Sequence, residues 1–90
     1  MGPHRLTLFV AGAEALRGPL IGRVQRACRE LGEGRVELEL VDALAEPERA
    51  RAAGVRLTPT LLAGEGPLAR RVFGDLTDVR EALWAVGAGA

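Results

Sequence analysis

The run Gly54-Val55-Arg56-Leu57-Thr58-Pro59-Thr60-Leu61-Leu62 restricts this chain more than any other stretch, because it sets a proline between two threonines at the head of an apolar segment. Proline lacks the N–H that a central strand must donate, so Pro59 belongs at the first residue of a strand or at a sheet edge. An X-Pro bond is also the one peptide for which the cis form is cheap, about 0.5–1 kcal/mol against roughly 3 elsewhere. The segment therefore reads as the start of a strand, at a proline where a cis peptide is permitted. A trans proline in a loop before a short strand is the plainer alternative.

The remainder of the sequence supplies partners for that strand. Leu6 to Ala11 is almost continuously apolar, as suits a strand covered on both faces in the middle of a sheet. Gly12 ends it, and Ala13 to Gly18 loops into a helix that begins at Pro19, where the missing N–H costs nothing. Leu20, Ile21, Val24, Ala27, Cys28 and Leu31 then recur at helical spacing, and Gly32-Glu33-Gly34 stops the helix. Arg35 to Val41 alternates, with Val36, Leu38 and Leu40 on one face and Glu37 and Glu39 on the other, a pattern suited to a protected sheet edge. Asp42 to Ala45 is a turn, Pro47 to Ala53 a short helix closed by Gly54. After the strand that follows Pro59, residues 63–67 supply the glycines of a hairpin and Leu68 to Phe73 its second strand. Asp78 with Glu81 fits a capping box ahead of the apolar face Val79, Ala82, Leu83 and Val86.

Ninety residues allow one domain, 1–90, with a single core. Twelve arginines, with no lysine, balance 12 acidic groups, so there is no basic excess to draw the chain to nucleic acid or to an anionic membrane. Phe9, Phe73 and Trp84 are too few for a base-stacking platform. The apolar runs fall short of the roughly 20 residues of a membrane span, and Met1 to Arg5 leads into a strand, not into a signal-peptide core. The expected compartment is the cytoplasm. A single cysteine permits no internal disulfide and no thiolate metal site.

The order β-α-β-α-β-β-α, with a helix crossing between the first two strands and a hairpin joining the last two, resembles the thioredoxin fold, and the Pro59 segment resembles the part of that fold that carries its cis proline. The fold class expected is α/β with a mixed four-stranded sheet. An oxidoreductase of that fold places C-x-x-C at the start of its first helix, where the helix terminus lowers a thiol pKa. Here Arg17-Gly18-Pro19-Leu20 stands in that place. Cys28 falls on the apolar face, where a cysteine acts as a small hydrophobe. His4 is the only histidine and sits in a terminus expected to fray. Asp42, Asp75 and Asp78 flank turns or helix starts, where carboxylates cap backbone donors. No catalytic, cofactor-binding or metal-ligating residue is assigned. Arg70 and Arg71 alternate sides of a strand, so that one can face solvent and a partner.

Further residues carry a closer resemblance. LTLFVAG, GRVELELVDA with Pro47 after it, LTPTLL, and the run Arg70-Arg71-Val72-Phe73-Gly74-Asp75-Leu76-Thr77-Asp78 resemble the KaiB family of circadian clock proteins, from Leu6 to about Val86. The resemblance implies a non-enzymatic adaptor, in clock or stress signalling, that binds a KaiC-like ATPase and engages a KaiA-like protein or a sensor histidine kinase. It also implies two folds: a self-associating ground state with a rearranged C-terminal half, and a thioredoxin-like state that binds as a monomer. Carried onto this sequence, it marks Arg51, Gly54, Val55, Arg70 and Arg71 as partner-binding, the strand Val36 to Val41 as open to edge addition, and Pro59, Gly74, Asp75 and Ala85 as fold-defining. Ala13 to Arg17 and Arg51 to Gly54 depart from the family pattern on surfaces expected to meet the ATPase. Ala85 stands where relatives carry glycine, and alanine favours the helix of the thioredoxin-like state by about 0.8–1.0 kcal/mol. The alternatives are a non-redox thioredoxin-like interaction module unconnected with clocks and, less compatible with the missing thiol pair, a thiol-disulfide oxidoreductase relative.

Overall fold

The computed structural model describes residues 3–66, 68–74 and 76–88; Asp75, named above as fold-defining, lies outside them. The elements are β1 (His4–Val10), a 3₁₀ turn (Ala15–Arg17), α1 (Pro19–Glu30), β2 (Val36–Asp42), α2 (Pro47–Ala52), β3 (Thr60–Ala63), β4 (Arg70–Phe73) and α3 (Val79–Ala85). They build one four-stranded sheet in the order β2-β1-β3-β4. β1 and β2 run parallel, as the α1 crossover requires, while β3 is antiparallel to both β1 and β4. This is the thioredoxin-like arrangement.

Register explains why the strand sequences differ. Leu8 of β1 lies between Leu40 of β2 and Leu61 of β3. An interior strand must be apolar on both faces, and β1 buries Leu6, Leu8 and Val10 on one side and Phe9 on the other. The larger core joins the first set to Ile21, Val24, Ala27 and Cys28 of α1 and to Val79, Ala82 and Leu83 of α3. On the opposite face Phe9, Val41 and Leu62 form a smaller cluster with Ala50 of α2. The edge strand β2 keeps Glu37 and Glu39 exposed, as its alternation predicts.

Helix ends follow the punctuation in the sequence. Pro19 is the first residue of α1. Asp78 caps α3 by accepting a hydrogen bond from the Glu81 N–H at 3.0 Å, so the aspartate half of the capping box is formed. α2 and α3 both stop in Schellman motifs on left-handed glycines, Gly54 at φ 73° and Gly87 at φ 85°. The Gly54 N–H donates to Arg51 O (3.1 Å) and the Val55 N–H to Ala50 O (2.9 Å); the Gly87 N–H donates to Trp84 O (3.0 Å) and the Ala88 N–H to Leu83 O (2.9 Å).

Two strand starts differ by two residues from the reading of the sequence, and the other ends by at most one. β1 begins at His4, not Leu6, because the His4 N–H bonds Arg35 O at 2.9 Å and His4 pairs with Val36; the histidine is a strand residue. β4 begins at Arg70, not Leu68, because β3 ends at Ala63, whose ladder partner is Arg70. Before that point the Ala69 N–H turns back to Gly66 O, leaving Leu68 almost fully exposed.

Candidate functional site

The Thr58–Pro59 bond is cis, and β3 starts at the next residue. Thr60, buried at the head of the strand, donates its hydroxyl to Leu57 O at 2.6 Å and so holds the preceding turn closed. The Gly74 N–H donates to Pro59 O at 3.1 Å, which ties the end of β4 to the proline. Pro59 also faces the start of α1 across a shallow cleft of about 330 Å³ lined by Val10, Gly18, Pro19, Leu20 and Thr58. In a redox member of this fold a thiol pair would occupy that cleft. Here Arg17 and Leu20 flank Gly18-Pro19, and the one cysteine is buried further along α1, where burial pushes the Cys28 thiol pKa up and disfavours the reactive thiolate.

The residues marked as partner-binding separate into two groups. Gly54, Val55 and Arg71 meet at a second cleft, of about 180 Å³, whose remaining wall is Arg56, Leu57, Thr60 and Phe73. Leu57 and Phe73 are both more than half exposed there, although neither can be picked out from the apolar pattern alone. Arg51 projects from the exposed side of α2, near this cleft in sequence but not part of its wall. Arg70 is not in the cleft; it leaves β4 toward the opposite face of the sheet and packs at the end of α3.

Arg71 is half-buried and donates to Ala53 O at 2.6 Å and Gly66 O at 3.4 Å. α2 is fixed at its other side by Arg49, whose guanidinium makes a two-pronged pair with Glu39 at 2.6 and 2.8 Å. The Arg49 hydrogen bond holds the Glu39 carboxyl below the usual carboxylate range. Asp42 performs the capping role expected of it. It accepts from the Gly12 N–H at 2.8 Å and the Leu44 N–H at 2.9 Å, and these backbone donors, Gly12 foremost, lower its pKa. Among the described residues no group of three His, Cys, Asp or Glu side chains could hold a metal ion, and no helix is long and apolar enough to cross a membrane.

A thioredoxin-like frame with a cis proline and Arg17-Gly18-Pro19-Leu20 at the start of its first helix defines a thioredoxin-like domain without the thiol pair of that fold's redox members. The family model for the KaiB domain matches residues 7–88, and the chain belongs to the KaiB family. It is similar to the circadian clock protein KaiB3 of Synechocystis sp., with 28% identity over 78 residues that cover 87% of this chain and 76% of that protein. Among solved structures, the N-terminal domain of SasA from Synechococcus elongatus shares the fold with a TM-score of 0.71 at 22% identity, covering 96% of this chain and 86% of that one. A designed protein matches with a TM-score of 0.67 at 17% identity, over 93% of this chain and 73% of its own.

Proposed function

We propose that this protein is a KaiB-like clock or stress-signalling adaptor that acts in the cytoplasm by binding a KaiC-type ATPase and performs no chemistry itself. The observation that carries the reading is the joint occurrence of the KaiB domain over 7–88 and Arg17-Gly18-Pro19-Leu20 where a thiol pair would stand. A fold of this kind without its thiol pair retains its surfaces as its functional parts. The surface that supports ATPase binding best is the end of α2, with Arg51, Gly54 and Val55 beside a partly apolar cleft. The edge of β2 is a second surface, suited to a KaiA-like protein or a sensor kinase through strand addition. Isothermal titration against the KaiC-type ATPase of the same genome tests the proposal: saturable binding is expected, and no detectable heat or co-sedimentation at micromolar concentrations contradicts it.

A further inference from the structure

Arg70 and Arg71 are neighbours on β4, so their side chains leave the strand toward opposite faces of the sheet. Each ends beside a helix-terminating glycine, Arg71 with a hydrogen bond to a backbone carbonyl there and the exposed Arg70 by proximity alone. The position that a β-carbon would take at Gly54 lies 3.1 Å from Arg71 Nη1, and the corresponding position at Gly87 lies 2.9 Å from Arg70 Nη1. Both glycines are the left-handed residues on which α2 and α3 terminate. The absence of a side chain therefore does two things at each helix end: it permits the positive φ, and it lets a guanidinium approach the helix terminus closely. Cations are favourable there, because the last carbonyls of a helix lack intrahelical partners and carry the negative end of its dipole. For Arg71 the match is explicit, since it donates to the C-cap carbonyl of α2, Ala53 O, at 2.6 Å. α2 depends on such a fastening more than most helices, having six residues of which only Ala50 is buried.

We propose that the tandem arginines of β4 are opposed C-terminal caps, Arg71 fastening α2 and Arg70 fastening α3 to the same strand. Arg71 is then a positioning residue that sets the surface around Gly54 and Val55, in place of reaching out to a partner; that second clause rests on the adaptor reading above. Because the caps alternate with the strand, one dipeptide holds a helix on each face of the sheet.

Amide hydrogen exchange on the free protein tests the caps without any partner. Arg71→Met is expected to raise exchange at Gly54 and Val55 at least tenfold while leaving Gly87 and Ala88 within twofold, and Arg70→Met to do the reverse. Equal effects of both variants on both helix ends, or no effect of either, overturn the proposal. If a methionine variant fails to fold, the lysine variants must show the same crossed pattern at smaller amplitude, because an ammonium keeps the charge and loses the guanidinium fork. The positioning role is read from binding to the KaiC-type ATPase as a function of salt. Arg71→Met is expected to weaken binding with the salt dependence unchanged, and Arg71→Lys to restore part of the affinity; a reduced salt dependence marks a direct charge contact and overturns that role. A wild-type protein that does not bind at all contradicts the adaptor reading and the positioning role with it, and leaves the caps to the exchange result.

Discussion

Asp42 joins three parts of the chain through one carboxylate. It ends β2, receives the N–H of Gly12 beyond β1, and closes the turn toward α2 through Leu44. Its pKa is lowered in the folded protein, so the stability it contributes is fully present above its unfolded value of about 3.9 and is lost as pH falls through the lower folded value. Asp42→Asn is therefore expected to lower the melting temperature at pH 7, and the difference from wild type should shrink below pH 4; a difference unchanged at pH 2.5 contradicts this account. Cys28 is the second residue with a defined consequence. Buried against the sheet and with its pKa raised, it should react with an aromatic disulfide reagent at least tenfold more slowly than free cysteine at pH 7. Insulin reduction above a no-protein control, or labelling at the free-cysteine rate, would count against it. Both roles were legible in the sequence, because a carboxylate beside a turn and a cysteine in a helical apolar stripe each have one common use. The role of Arg71 was not, since nothing in the order of residues says that β4 passes the end of α2.

At the level of elements, the four strands and three α-helices could be placed from periodicity and from Gly and Pro punctuation, whereas the 3₁₀ turn Ala15–Arg17 lies in a stretch that reads as loop, and the larger boundary shifts fell where pairing partners decide. β1 reaches back to His4 because β2 offers it a partner, and β4 loses Leu68 because β3 has none left to give. α3 is the element on which the choice of fold rests. Its face Val79, Ala82, Leu83 and Val86 is buried, Ala85 is exposed, and the chain leaves the helix through the Gly87 turn. We expect the isolated protein to populate mainly this thioredoxin-like arrangement. At an exposed helical position Ala85→Gly should cost about 0.8–1.0 kcal/mol, which changes a two-state ratio roughly fivefold. In solution the substitution should reduce helical protection over Leu83 to Val86 and raise any second set of amide resonances; a wild-type spectrum with that segment paired in a sheet, or a stable tetramer, contradicts the expectation.

For the whole molecule, the fold leaves backbone edges on β2 and β4 and places shallow clefts around α2 and the cis proline, while the tightly packed core lies between the sheet and the α1–α3 layer. The sequence disclosed the fold and the missing thiols, since both are written in local pattern. It could not disclose that Gly54, Val55 and Arg71 share one cleft while Arg70 stands on the other side, which depends on how β4 meets two helices. We propose that this frame is an adaptor whose working surface is the end of α2. The direct measurement is the affinity of the KaiC-type ATPase for wild type and for the double variant Arg51→Glu/Val55→Asp, with folding of both confirmed by circular dichroism. At least a tenfold loss of affinity with the fold intact is expected; equal affinity of the two proteins rules out the end of α2 as the working surface.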